Sequence, residues 1–263
     1  MTNLPNTALD LVRPGAGILA ADESVATMSK RLAAAGVPAT AKSRGDYREL
    51  LLTTPRLSAW ISGMIVCDET LRQTLADGTP FPVAAAGRGI RLGIKVDTGT
   101  SPLPFANGGM VTEGLDGLRP RLLEYRELGA TFAKWRAVFD PNGLSKRAVR
   151  ANAHSLARFA ALCQECGLVP IVEPEILMDG AHEIALCQAV TSNVLTNVFK
   201  HLALMGVDPQ ALVLKTNMVV AGFADNEEES TPEDIAARTV RVLRGAVPAA
   251  VPGVVFPLRR TEQ

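Results

Sequence analysis

A lysine inside an apolar strand costs free energy unless its charge is neutralised or put to use. The run Leu212-Val213-Leu214-Lys215-Thr216-Asn217 holds such a lysine. Two readings fit Lys215: a structural cation paired with a carboxylate, or an amine of depressed pKa that attacks as a nucleophile. Other apolar runs also end in ionisable groups. Asp22-Glu23-Ser24 follows Gly17 to Ala21, and Asp68-Glu69 follows Ile61 to Cys67. Lys95 and Asp97 close the run from Leu92, Lys134 and Arg136 close the run from Phe132, and Glu173 and Glu175 follow Leu168 to Val172. Residues i and i+2 on a strand share a face. Gathered in one place, Lys95 and Lys134 would add cations beside Lys215 and lower its pKa. Glu173, Glu175 and Asp22 would supply carboxylates for proton transfer. The same groups would equally make a structural ion-pair network.

The elements that must position them follow from periodicity. The apolar runs already named, with Ala211 to Leu214 and Gly253 to Phe256, are of strand length. Helical patterns cover Ala26–Ala35, Tyr47–Leu52, Leu115–Leu128, Lys146–Cys166 and His182–Leu204. A further helix opens with Thr231 as N-cap, Pro232 in the first position, and Glu233 and Asp234 at the positive end of the dipole. Ile235, Val242 and Leu243 give it an apolar stripe, and Gly245 is expected to end it. Strand starts fall roughly 25 to 45 residues apart, the spacing of parallel βαβ units. A doubly wound sheet would need ionisable strand ends only at its switch point, whereas a (β/α)₈ TIM barrel brings every strand end to one mouth. The pattern therefore predicts an α/β chain, with residues 1–263 forming one (β/α)-barrel domain. Only seven strands are accounted for by Phe256. The eighth strand and a C-terminal tail are expected to be missing, and 257–263 reads as an atypical tail.

Bulk properties narrow the function classes. The chain has 263 residues, 47% hydrophobic and 21% charged, with 27 basic residues against 27 acidic ones, so no basic surplus points to nucleic acid. Met1-Thr2-Asn3-Leu4-Pro5 lacks a signal pattern, and no apolar run approaches the ~18 residues of a membrane span. Together with the four cysteines, too few for a disulfide scaffold, this reads as a cytoplasmic protein with no membrane partner. Cys163-x-x-Cys166 lies in a helix-like stretch without a second pair, which favours buried thiols over a zinc or redox site. His154, His182 and His201 fall in helix-like stretches, and no His/Asp/Glu triad suggests a metal.

Six segments in order resemble the class I (Schiff-base) fructose-bisphosphate aldolase family. They are Gly17-Ile18-Leu19-Ala20-Ala21-Asp22-Glu23-Ser24, Gly93-Ile94-Lys95-Val96-Asp97, Glu113-Gly114-Leu115-Asp116-Gly117-Leu118, Phe132-Ala133-Lys134-Trp135-Arg136, Ile171-Val172-Glu173-Pro174-Glu175-Ile176-Leu177 and Leu214-Lys215-Thr216-Asn217-Met218-Val219. The resemblance spans about residues 10 to 256. It implies that Lys215 forms the Schiff base and that Glu173 is the acid/base that helps dehydrate the carbinolamine. Glu175 would orient Glu173 or hold Lys215. Asp22 would take the proton from the hydroxyl beside the bond being cut, and Lys134 would stabilise charge near the reacting centre. Lys95, Ser24 and Arg136 match residues around one phosphate, Arg31 matches a further basic residue near the mouth, and Thr27 offers a hydroxyl. The substrate implied is a phosphorylated sugar, cleaved in glycolysis with no cofactor, and the family suggests a homo-oligomer, often a tetramer.

The chain departs from the family pattern in four places. Val25-Ala26-Thr27 replaces Thr-Gly-Ser after the first strand, Cys67-Asp68-Glu69-Thr70 replaces Phe-His-Glu-Thr, and Thr216 stands where proline usually follows the lysine. After Phe256 the family reads Leu-Ser-Gly-Gly-Gln, and this chain reads Pro257-Leu258-Arg259-Arg260-Thr261. One C inserted after the phenylalanine codon of a GC-rich gene gives that reading, so a frameshift is expected; resequencing the locus tests it. The tail leaves two alternatives beside an active aldolase for fructose 1,6-bisphosphate: a catalytically impaired remnant, or a Schiff-base aldolase for another sugar phosphate.

Overall fold

The computed structural model describes residues 3–224 and 230–257. The chain starts with helix α1 (Leu4–Leu11), then β1 (Gly17–Ala21), α2 (Val25–Ala34), α3 (Ala41–Leu52), β2 (Ile61–Val66), α4 (Asp68–Leu71), α5 (Phe81–Gly87) and β3 (Arg91–Lys95). A small hairpin, β4 (Thr100–Pro102) and β5 (Met110–Thr112), precedes α6 (Leu118–Glu127) and β6 (Ala130–Phe139). The rest is α7 (Lys146–Glu165), β7 (Val169–Ile176), α8 (Ile184–Leu204), β8 (Val213–Lys215), α9 (Pro232–Ala246) and β9 (Val254–Val255). Among the described residues seven strands pair in parallel in the order β1-β2-β3-β6-β7-β8-β9. This is the α/β barrel that the converging strand ends predict. The expectation about the tail lies, from Leu258 onward, outside the described residues.

Several boundaries differ from the sequence reading. α3 starts at Ala41 rather than Tyr47, because the Thr40 hydroxyl caps it by accepting from the Ser43 N–H at 3.0 Å. α9 runs through Gly245 to Ala246, so that glycine does not stop it. Its start is as expected: Thr231 Oγ1 accepts from the Asp234 N–H at 3.2 Å. α8 begins at Ile184, which leaves His182 in the preceding loop, buried and with neither ring nitrogen hydrogen-bonded among the described residues. α1, α5 and the hairpin carry no expectation from sequence. Cys163 and Cys166 are both buried free thiols at the end of α7, and burial raises the pKa of each.

Two apolar cores flank the strand layer. Alternate residues of β6 and β7 that point outward, such as Ala133, Trp135, Ala137, Val172 and Ile176, pack under the helices. Those pointing inward fill the lower barrel, where Phe132, Val169, Ile171, Val213 and Ile65 meet Ala8 and Leu11 of α1. Helix α1 thus plugs the N-terminal end of the barrel. Phe132 owes its place to two glycines opposite. A Cβ on Gly93 would lie 2.0 Å from the Phe132 ring, and one on Gly63 would lie 2.8 Å from Leu11.

Candidate active site

Each inward row turns from apolar to ionisable as it rises two residues toward the C-terminal ends of the strands. On β6 the row is Phe132, Lys134, Arg136, and on β7 it is Ile171, Glu173, Glu175. On β8 Val213 is followed by Lys215, on β3 Gly93 by Lys95, and on β1 Ala20 by Asp22 just past the strand. Strand alternation sets the row, and the parallel register stacks rows side by side, with Lys95 opposite Lys134 and Arg136 opposite Glu173.

The centre of the mouth is a buried chain of four charges. Lys215 Nζ donates to Glu173 Oε1 at 2.5 Å. Lys134 Nζ lies 2.6 Å from Asp22 Oδ2 and 3.1 Å from Glu173 Oε2, the latter in ion-pair range but outside hydrogen-bond geometry. The side chains of Glu173, Lys134, Asp22 and Lys215 are only 4, 5, 11 and 14% exposed. Burial would lift the Asp22 carboxyl, but Lys134, with Lys215 behind it, outweighs burial and holds it below the ordinary aspartate value. Burial would likewise lower the Lys134 ammonium, yet Glu173 and Asp22 keep it above the ordinary lysine value. Lys134 is therefore a fixed cation.

A second tier surrounds this centre. Arg136 Nε donates to Glu175 Oε2 at 2.5 Å. Lys95 Nζ closes on Asp97 Oδ1 at 2.5 Å and on the Asp97 carbonyl at 2.8 Å. Asp97 Oδ2 also accepts from the Arg136 N–H at 3.3 Å. Ser24 N-caps α2: its Oγ accepts from the Thr27 N–H at 3.1 Å and lies 3.0 Å from the Thr27 hydroxyl. That helix end carries partial positive charge suited to a phosphate. Arg31, exposed, pairs with Glu23 at 2.6 Å, and Glu23 also takes buried Arg48 at 2.7 Å. The acids after β2 are structural: Glu69 accepts a two-pronged pair of bonds from Arg44, each 2.7 Å, and Asp68 pairs with Arg72 at 2.9 Å.

The arrangement suits amine chemistry on a carbonyl. A lysine amine touches a carboxylate that can exchange its proton, a second buried carboxylate is separate from it, and a fixed cation lies between the two. Cations and a helix N-terminus border this centre, as an anionic substrate requires. Beside the centre, between β1 and the β8–β9 edge, a cavity of about 260 Å³ is lined by Ile18, Ala20, Ile171, Lys215, Val255 and Phe256 among others.

Comparison with known proteins agrees with this chemistry. A sequence model of the family described as "Fructose-bisphosphate aldolase class-I" matches residues 3–258. The chain is 51% identical over 258 residues to a probable fructose-bisphosphate aldolase class 1 of Xanthomonas campestris pv. campestris, covering 96% of this chain and 76% of that one. The chain belongs to the class I fructose-bisphosphate aldolases. It is 50% identical over 245 residues to cytosolic fructose-bisphosphate aldolase 6 of Arabidopsis thaliana, covering 92% of this chain and 68% of that protein. Its fold superposes with a TM-score of 0.94 on fructose-bisphosphate aldolase from Plasmodium falciparum, solved with TRAP and a small-molecule inhibitor. That chain is 45% identical, and the match covers 96% of this chain and 74% of that one. No helix among the described residues of this aldolase is long and apolar enough to cross a membrane. Two strand-end residues named in the sequence reading, Asp97 and Asn217, carry no role there and yet hold the site together. Asp97 ties Lys95 to Arg136, a role its i+2 spacing from Lys95 hints at. Asn217 accepts from the Ile176 N–H at 2.9 Å, which no local pattern signals.

Proposed function

We propose that this chain catalyses the reversible cleavage of fructose 1,6-bisphosphate to dihydroxyacetone phosphate and glyceraldehyde 3-phosphate through a Schiff base on Lys215. The observation that carries the reading is the 2.5 Å contact between Lys215 Nζ and Glu173 inside the buried Lys134–Asp22 cluster. Lys215 passes its proton to Glu173, and the neutral amine attacks the substrate ketone to form a carbinolamine. Glu173 protonates the departing hydroxyl, so water leaves and a protonated imine remains. Asp22 removes the proton from the hydroxyl beside the bond to be cut. The C3–C4 bond then breaks, and its electron pair passes into the imine to give an enamine. The imine is itself the electron sink. Lys134 steadies the negative charge that develops nearby, and Glu175 aligns Arg136. Protonation of the enamine carbon and addition of water release dihydroxyacetone phosphate and restore Lys215.

Ser24 and Thr27 at the start of α2, with Lys95, Arg31 and Arg136, bind the phosphates. Substrate phosphate displaces Asp97 from Lys95 and Glu23 from Arg31, a near-equal exchange of one anion for another. The reading further places the barrel, as one domain, in the cytoplasm as a homo-oligomer, a tetramer on family grounds. The test is an intact-mass spectrum after incubation with dihydroxyacetone phosphate and borohydride, followed by peptide mapping. A single reduced adduct on Lys215 is expected. An unmodified chain, or an adduct on another lysine, overturns the assignment.

A further inference from the structure

Backbone pairing between β7 and β8 consists of Ile171 with Val213 and Val172 with Leu214, so it stops one residue short of Lys215. Two side chains carry the ladder on. Thr216 Oγ1 donates to the Pro174 carbonyl at 3.1 Å, and Asn217 Oδ1 accepts from the Ile176 N–H at 2.9 Å. On the opposite side, the Thr216 N–H donates to the Val255 carbonyl of β9 at 3.1 Å. Thr216 and Asn217 are each about 1% exposed, so water does not compete for these bonds.

The placement of these bonds is what matters. Pro174 lies between Glu173 and Glu175, and Thr216 directly follows Lys215. The hydroxyl of Thr216 therefore fastens the neighbour of the amine to the neighbour of the carboxylate that the amine touches. A lysine side chain is a flexible four-carbon stem, and its tip goes where the backbone beneath it and its partner allow. Beyond the last paired residue, this hydroxyl and the Asn217 amide join the end of β8 to β7 beside the Lys215–Glu173 contact itself. A proline at this position, usual in the resembling family pattern, has neither hydroxyl nor N–H and fixes φ through its ring instead. In this chain two hydrogen bonds do the anchoring.

We propose that Thr216 is a positioning residue: its hydroxyl, bound to the Pro174 carbonyl, sets the height of Lys215 against Glu173 and so governs how fast the imine forms. The inference rests on the reading of Lys215 as the imine-forming lysine. Small misplacements of a reacting group cost rate before they cost binding, because phosphate contacts elsewhere in the mouth are untouched.

The test is the rate of borohydride trapping on Lys215 over a range of dihydroxyacetone phosphate concentrations, for the parent chain, Thr216→Val and Thr216→Ser. Valine keeps the shape of threonine and deletes the hydroxyl; serine keeps the hydroxyl and deletes the methyl. Thr216→Val is expected to slow trapping at saturation by about tenfold, with the half-saturating concentration within about twofold of the parent. Thr216→Ser is expected to stay within about threefold of the parent rate. If Thr216→Val is insoluble, Thr216→Ala replaces it against the same serine control. Trapping by the hydroxyl-free variant at the parent rate, or an equal loss in Thr216→Ser, overturns the inference. So does a change confined to the half-saturating concentration. If the parent forms no adduct on Lys215, the functional reading falls and takes this inference with it. A parent adduct with an unaffected Thr216→Val removes the inference alone.

Discussion

The lower and upper halves of the barrel interior stand on the same strands, two residues apart, and solve opposite problems. Below, Phe132, Ile171, Val213, Ile65 and Leu11 need only shape, and the shape is tight enough that Gly93 cannot carry a Cβ. Above, Lys134, Glu173, Lys215 and Asp22 need charge balance, and every one of the four finds an opposite charge within 3.1 Å. The lower half stabilises, since burying one large apolar side chain contributes about 1.5–3 kcal/mol. The upper half gives little net stability, because desolvating ions offsets much of their attraction. What it supplies is a set of groups already in place for proton transfer.

Breaking the upper half at its reactive atom has the largest expected effect. Lys215→Met should lower cleavage on the order of 10⁴-fold or more and abolish the borohydride adduct, while the thermal midpoint moves little. A coupled assay of fructose 1,6-bisphosphate cleavage measures it, and residual adduct on another lysine would transfer the role there. Removing the fixed cation is next. Lys134→Ala strands Asp22 in a buried site, leaves Glu173 with Lys215 alone, and should cost about 3–5 kcal/mol in urea unfolding.

The same variant sharpens the pH dependence. Asp22 has a native pKa below its unfolded value, so its contribution is complete above the ordinary aspartate range and is lost as pH falls through the lowered native value. Lys134 is shifted upward, so its contribution is complete below the ordinary lysine pKa and is lost as pH rises through the native value. Stability of the parent should therefore fall at both extremes, and Lys134→Ala should flatten both limbs. Unchanged limbs in that variant would mean the cluster does not set them.

Breaking the lower half tests shape alone. Gly93→Ala places a methyl 2.0 Å from the Phe132 ring and should destabilise by about 1–3 kcal/mol. The double change Gly93→Ala with Phe132→Leu should recover part of that loss, and strict additivity of the two would deny that they share one space. The smallest effect belongs to the rim. Arg31→Ala removes an exposed pair with Glu23 and should alter stability by no more than about 0.5 kcal/mol. If Arg31 meets substrate phosphate, its KM rises all the same.

Sequence alone reached the upper half more readily than the lower. Lys134 and Arg136, or Glu173 and Glu175, announce themselves because a two-residue period of charge ends an apolar run. Strand geometry says that such groups gather at one mouth, but not which lysine pairs with which carboxylate. Phe132 against Gly93 was not legible, since nothing local says that these residues of β6 and β3 face one another across a barrel. α1 was missed because it is eight residues long and begins beside Pro5, so its amphipathic stripe is too short to read. Asp68 and Glu69 also stand as ionisable groups at the end of a strand. Their arginine partners, Arg72 one helical turn on and Arg44 in α3, make them structural. Gly245 was misread because a glycine late in a helix stops it only when the chain must turn there with positive φ, and here the helix continues for one more residue.

The plug formed by α1 has a consequence for how the molecule comes into being. Its buried face, Ala8 and Leu11, is made before any of the strands it packs against, and its contacts reach as far as the turn at Pro209–Ala211, about two hundred residues later in the chain. During synthesis that face waits unpaired. The full cluster around it exists only once β2, β6, β7 and β8 have come together. Protection of the α1 amides from hydrogen exchange should therefore be among the last signals to rise on refolding, a timer for the moment the barrel floor closes.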